Sequence, residues 1–222
     1  MKKIFLLGVF IILLAGVVYA YDGVCCDSIG SYCKGSGVTG IAAGDLHICF
    51  LLDNGNVDCR GLNYQGSSDD YNGSDAVSIA AGGPHTCFLL DNGNVKCQGW
   101  NSYGQADDYT GGNAIGVAAG KRHTCFLLNN GNVKCQGQNS YGQANDYNNG
   151  DAIGAALGET HSCFLLNNGN VDCQGQNSYG EANDYNGGDA AGIASGQGIT
   201  CILLNNGNVK CQGLNQYGQS ND

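Results

Sequence analysis

One string constrains this chain more than anything else in it: His85-Thr86-Cys87-Phe88-Leu89-Leu90-Asp91-Asn92-Gly93-Asn94-Val95-Lys96-Cys97. It recurs almost unchanged. The first cysteine falls at Cys49, Cys87, Cys125, Cys163 and Cys201, the second at Cys59, Cys97, Cys135, Cys173 and Cys211, each step being 38 residues without insertion or deletion. A fixed period of this length is the mark of a repeat architecture. Within each copy two short apolar runs flank an Asn-Gly pair, which is a β-hairpin signal.

Cysteine placement constrains the turn. A two-residue Asn92-Gly93 turn would set Cys87 opposite Gln98. A three-residue loop, Asp91-Asn92-Gly93 with a left-handed glycine in third place, sets Cys87 opposite Cys97. Directly opposed Cβ atoms in an antiparallel pair lie about 4.5–5.5 Å apart, within reach of a disulfide. The expected bridges are therefore Cys49–Cys59, Cys87–Cys97, Cys125–Cys135, Cys163–Cys173 and Cys201–Cys211. Closing so short a loop stabilises each hairpin by at most about 2–3 kcal/mol. The nine-residue gaps match no zinc finger or ribbon.

The beginning of the chain supports an oxidising destination. Lys2 and Lys3 precede an apolar run from Ile4 to Val18, then Val18-Tyr19-Ala20, the layout of a secretory signal peptide over residues 1–20. No later segment is apolar enough to span a membrane, so the expected location is secreted or extracytoplasmic, including the cell surface. Removing Lys2 and Lys3 takes Lys+Arg from 9 to 7 against 19 acids, a net charge of −12. Such a surface excludes nucleic acid and anionic lipid as partners. Residues 21–37 hold Cys25, Cys26 and Cys33 and read as a degenerate hairpin, Ser31-Tyr32-Cys33-Lys34-Gly35 being a worn copy of Val57-Asp58-Cys59-Arg60-Gly61. Cys33 would bridge to Cys25 or Cys26, leaving one thiol free or paired between molecules.

From residue 38 to 222 five units run in register. Each opens with a strand rich in Ala and Gly, such as Val77-Ser78-Ile79-Ala80-Ala81-Gly82, continues through the hairpin and ends in a polar loop such as Asn139-Ser140-Tyr141-Gly142-Gln143. The consecutive apolar residues of Cys-Phe-Leu-Leu suit a strand buried on both faces. Small residues suit the crowded inner strand near an axis. The expected fold is all-β, a β-propeller of five three-stranded blades forming a closed ring or an open arc. A β-solenoid competes less well, its coils being shorter and lacking disulfide hairpins.

Ala118-Ala119-Gly120, His123-Thr124-Cys125, Gly131-Asn132-Val133-Lys134-Cys135, Gly137, Asn139 and Tyr141-Gly142-Gln143 together resemble the regulator of chromosome condensation repeat, in the cysteine-paired form of secreted proteins. The short period also resembles the blades of a secreted β-lactamase inhibitor propeller in the same superfamily. The resemblance covers Val38 onward and implies a propeller that binds protein. Two departures stand out. Where the family has Trp before the glycine of the second hairpin strand, this chain has Arg60, Gln98, Gln136, Gln174 and Gln212, and five units are visible where family rings commonly have seven.

No catalytic set emerges: no carboxylate pair occurs once in an asymmetric context, and Thr86 and Ser162 belong to the strand pattern. A non-enzymatic binding protein is the expectation, with a structural or adhesive module of the cell envelope as the alternative. His47, His85, His123 and His161 share one repeat position, occupied by Ile199 in the fifth unit. They read as structural histidines rather than a metal ring, and no cofactor is expected. The loops Asp146–Asp151 and Asp184–Asp189 place oxygens on alternate residues and leave calcium as a possible ligand, though they lack a downstream bidentate Glu. Asn72-Gly73-Ser74 matches a glycosylation acceptor. Tyrosines are the candidate ligand contacts, for a protein or a surface glycan. Tyr103, Tyr141, Tyr179 and Tyr217 lie in the Gln-flanked loop and Tyr71, Tyr109, Tyr147 and Tyr185 in the Asp/Asn loop, with Tyr64 out of phase. The first set is expected to pack between blades and the second to face a ligand.

Overall fold

The computed structural model describes residues 37–220. The expected signal peptide and the hairpin with Cys25, Cys26 and Cys33 lie outside the described residues. Five three-stranded antiparallel sheets follow one another, in the strand order β1-β2-β3 and its repeats. The first unit comprises β1 Val38–Ala43, β2 His47–Leu52 and β3 Val57–Gly61, and the second β4 Ala76–Ala81, β5 His85–Leu90 and β6 Val95–Gly99. The third comprises β7 Ala114–Ala119, β8 His123–Leu128 and β9 Val133–Gly137; the fourth β10 Ala152–Leu157, β11 His161–Leu166 and β12 Val171–Gly175. The fifth is β13 Ala190–Gly196, β14 Ile199–Leu204 and β15 Val209–Gly213.

The hairpin turns as its cysteines require. Leu90 N–H donates to Asn94 O at 2.9 Å and Gly93 N–H to Leu90 O at 3.0 Å, with Asp91-Asn92-Gly93 between them. Gly93 has φ +75, and a Cβ there would meet Gly112 O at 2.6 Å, so glycine is needed on both counts. Cys87 then pairs with Cys97, and all five units carry the expected disulfide, each with Cα atoms 4.1 Å apart.

The middle strand is buried on both faces because successive side chains point to opposite neighbours. Cys49, Leu51 and Val57 of the first unit pack against Ile79 and Phe88 of the second, and the same seam recurs down the chain. In every unit the inner strand slips register at its second residue, as between Val38 and Gly40. This bulge leaves Val77, Ile115 and Ile153 exposed at 54%, 40% and 48%, and the last two line a concave pocket of about 680 Å³.

Each sheet packs on the next in sequence, whereas among the described residues the fifth and first sheets share no extended packing. The described blades therefore form an open arc. The outer edges are closed by more than three strands. Tyr109 exchanges both backbone hydrogen bonds with Val95 at 2.8 Å, and Asp108 Oδ1 accepts the Cys97 N–H at 2.8 Å. The Asp-Tyr dipeptide thus acts as a two-residue fourth strand that satisfies an otherwise open edge. The same bridge recurs at Tyr71, Tyr147 and Tyr185.

Candidate functional site

The histidines prove to be staples between units. His47, His85, His123 and His161 direct Nε2 at Thr86, Thr124, Ser162 and Thr200 of the following unit, at 2.7–2.8 Å. Thr86, Thr124 and Ser162 in turn donate to loop carbonyls at 2.8 Å, so they accept from the imidazole, and its proton sits on Nε2. Burial pushes His85 down to about 4 and His123 to about 3, with neighbouring imidazoles adding to the fall. Neutral rings spent on hydroxyls hold the units in register. Among the described residues no group of three or more His, Cys, Asp or Glu side chains could hold a metal.

The two tyrosine sets exchange the places expected of them. Tyr71 and Tyr109 stack on Phe88 and Phe126 of the next unit at 5.1 Å, and Tyr147 tilts against Phe164 at 5.3 Å. Their hydroxyls are spent as well: Tyr71 donates to Asp75 and Tyr147 to Asp151, both at 2.5 Å, while Tyr109 bonds Asn113 and Tyr185 bonds Asp189. Desolvation and the accepting carboxylate raise Tyr71 and Tyr147 to about 12, so both remain donors. Placing the Asp-Tyr set at a ligand surface is thus corrected: its backbone closes the blade edge, which draws the rings into the seam. The Tyr-Gly set is the exposed one, with Tyr103, Tyr141 and Tyr179 at 46%, 54% and 57% and Tyr217 at 90%. In this loop Gln105 and Gln143 are buried and accept the Tyr103 and Tyr141 N–H, which turns the rings outward.

The unusual glutamines also join units. Gln98, Gln136, Gln174 and Gln212 donate Nε2 to the carbonyls of Asp69, Asp107, Asn145 and Asn183 in the preceding loop, at 2.6–2.8 Å.

With the scaffold accounted for, positions where the units disagree become informative. Residue 62 donates its N–H to the carbonyl of residue 46 at 2.8 Å, and this backbone pair recurs as Trp100 with Pro84, Gln138 with Arg122, Gln176 with Thr160 and Leu214 with Gly198. The main chain is held while the side chains vary freely. In the first three units these side chains converge. Leu46, Leu62 and Tyr64, exposed at 67%, 57% and 49%, line a groove of about 380 Å³ together with Pro84, Trp100 and Arg122. Arg122 lies 6.0 Å over the Trp100 ring, and Tyr103 meets that ring edge-on at 5.3 Å. Lys121, also at the groove, pairs with Glu159 at 2.7 Å. Apolar floor, aromatic edges and a stacked guanidinium are the constituents of a binding hot spot.

The regulator of chromosome condensation (RCC1) repeat matches residues 38–67, 76–105, 114–143, 153–181 and 191–219. The chain belongs to this family. Several solved structures share its fold. The ectodomain of the Physcomitrella patens receptor kinase CR4 is 22% identical with a TM-score of 0.68, over 79% of this chain and 53% of that one. Yeast RCC1 (Prp20), solved bound to Kap60, is 19% identical with a TM-score of 0.68, over 80% and 56%. Human WBSCR16 is 19% identical with a TM-score of 0.70, over 80% and 62%. The chain thus spans between 53% and 62% of the length of these three solved structures. No curated protein sequence matches it.

Of the tyrosines read as candidate contacts, Tyr103 joins the groove cluster, and Tyr141 and Tyr179 lie exposed in the equivalent loops of the third and fourth RCC1 repeats. Trp100, Arg122, Leu46, Leu62 and Pro84 escape a reading based on recurring residues. Their signal is the opposite one: they break an otherwise strict 38-residue pattern.

Proposed function

We propose that this RCC1-repeat protein is an exported, non-enzymatic binding protein that docks a protein segment in the groove of its first three units. One observation carries the reading. Backbone-paired positions whose side chains take no part in the scaffold present Trp100, Arg122 and Leu62 together, beside Tyr64, only where the repeats differ. A solved relative bound to a partner protein, yeast RCC1 with Kap60, supports protein as the ligand class. The five disulfides support an oxidising compartment. A surface glycan is the second reading, favoured by the edge-on Trp100–Tyr103 pair, which offers faces on which a sugar ring stacks. The envelope-module alternative predicts wall retention without a saturable ligand.

Trp100 is the only tryptophan of the chain and serves as a reporter. Protein and glycan arrays probed with the exported chain should yield a ligand that shifts Trp100 emission on titration. Arg122→Ala should weaken that ligand by about tenfold or more, while Tyr179→Ala, outside the groove, leaves it unchanged. A saturable ligand that leaves both the emission and the Arg122→Ala affinity untouched places binding elsewhere.

A further inference from the structure

The four internal seams are alike, and the two outermost faces of the described units depart from them in a matched way. Each internal seam joins a histidine of one unit to a hydroxyl of the next. In the first unit the hydroxyl position is Ile48, and in the fifth the histidine position is Ile199. Ile48 lies on the face that would receive a preceding unit and Ile199 on the face that would meet a following one. A histidine against Ile48 would bury an unpaired N–H, and a threonine against Ile199 an unpaired hydroxyl. Both halves of the polar couple are replaced together, so the two faces suit each other and neither suits an ordinary member of the array.

The apolar core positions of each face are open among the described residues. Phe50 is half-buried where Phe88 and Phe126 are 0% exposed. Val209 is 50% exposed where Val57 and Val133 are 0%. A Cβ on Gly44, Gly82, Gly120 or Gly158 would strike a carbonyl of the next unit at 2.2–2.6 Å, whereas one on Gly196 would meet only Ile199 of its own unit.

We propose that the Ile199 face of one copy of this chain receives the Ile48 face of a second copy, head to tail, in the geometry of the internal seams. The occupant is a second copy because the two faces match each other in the replaced couple yet share no extended packing within one chain among the described residues. Such a contact is heterologous and builds closed rings or open strings of copies.

The test is sedimentation velocity of the full oxidised chain with any free thiol alkylated. The wild type should associate with rising concentration. Ile48→Thr alone and Ile199→His alone should each weaken association by about tenfold, and one chain carrying both should recover it, because His then meets Thr as at every internal seam. Ile48→Asp and Ile199→Asp should each be monomeric, yet form a dimer and nothing larger when mixed, each keeping one usable face. Recovery on mixing also shows that both variants are folded. A wild type monomeric at all concentrations overturns the proposal, as does association that survives both aspartates. Coupling of the two substitutions in the melting of a monomer would place the contact inside one chain and overturn the second copy.

Discussion

Acid should weaken this protein through its histidine staples. His85 and His123 are held near 4 and 3 in the folded state, against about 6.5 in the unfolded chain. Below pH 6.5 the unfolded chain therefore binds protons that the folded chain refuses. The stability these rings contribute is full above that pH and is lost as pH falls toward their folded values. Between pH 7.5 and 5 each ring loses about 2 kcal/mol, so the pair loses about 4 kcal/mol, a large share of a total stability of about 5–15 kcal/mol. A second effect runs the other way, since approach to the isoelectric point near 4.5 relieves repulsion among the acids. The measurement must therefore be a difference. Urea unfolding at pH 7.5 and pH 5 is compared between the wild type and His85→Gln/His123→Gln, whose amides retain a donor for Thr124 and Ser162. The variant should be less stable at pH 7.5 but should lose about 4 kcal/mol less on acidification. Equal pH dependence in both proteins would refute the reasoning, because it would mean that the rings titrate alike folded and unfolded.

Three further outcomes follow from the same geometry. Replacing Cys125 and Cys135 together by serine should cost about 3 kcal/mol in urea unfolding, and non-reducing peptide mapping should recover all five bridges within their own units. Tyr147→Phe, which strips the donor from Asp151, should cost about 1 kcal/mol, whereas Tyr141→Ala, 54% exposed, should stay within about 0.5 kcal/mol. Added Ca²⁺ or EGTA should leave the melting temperature unchanged, because Asp146 and Asp151 already accept from the Cys135 amide and the Tyr147 hydroxyl; a rise with Ca²⁺ would establish a calcium loop.

By itself the sequence determined whatever a strict period and local chain geometry control. The 38-residue step sets five units, and opposed cysteines exclude a two-residue Asn-Gly turn in favour of a three-residue one. The four consecutive apolar residues of Cys-Phe-Leu-Leu require a strand covered on both sides. These follow from distances along one chain, so no neighbouring unit has to be known. The roles of the tyrosines depended instead on which backbone reached the outer edge. Asp108 and Tyr109 close it and carry the ring inward, while Gln105 folds under its own loop and turns Tyr103 out. Either motif could have done either job, and composition does not distinguish them. The groove is likewise a tertiary product: Leu46, Leu62, Trp100 and Arg122 come from three units and become neighbours only when the seams pack. Ile48 and Ile199 stand 151 residues apart in the numbering, and only the His–hydroxyl pairing seen across the internal seams reveals that they are the two halves of one replaced couple.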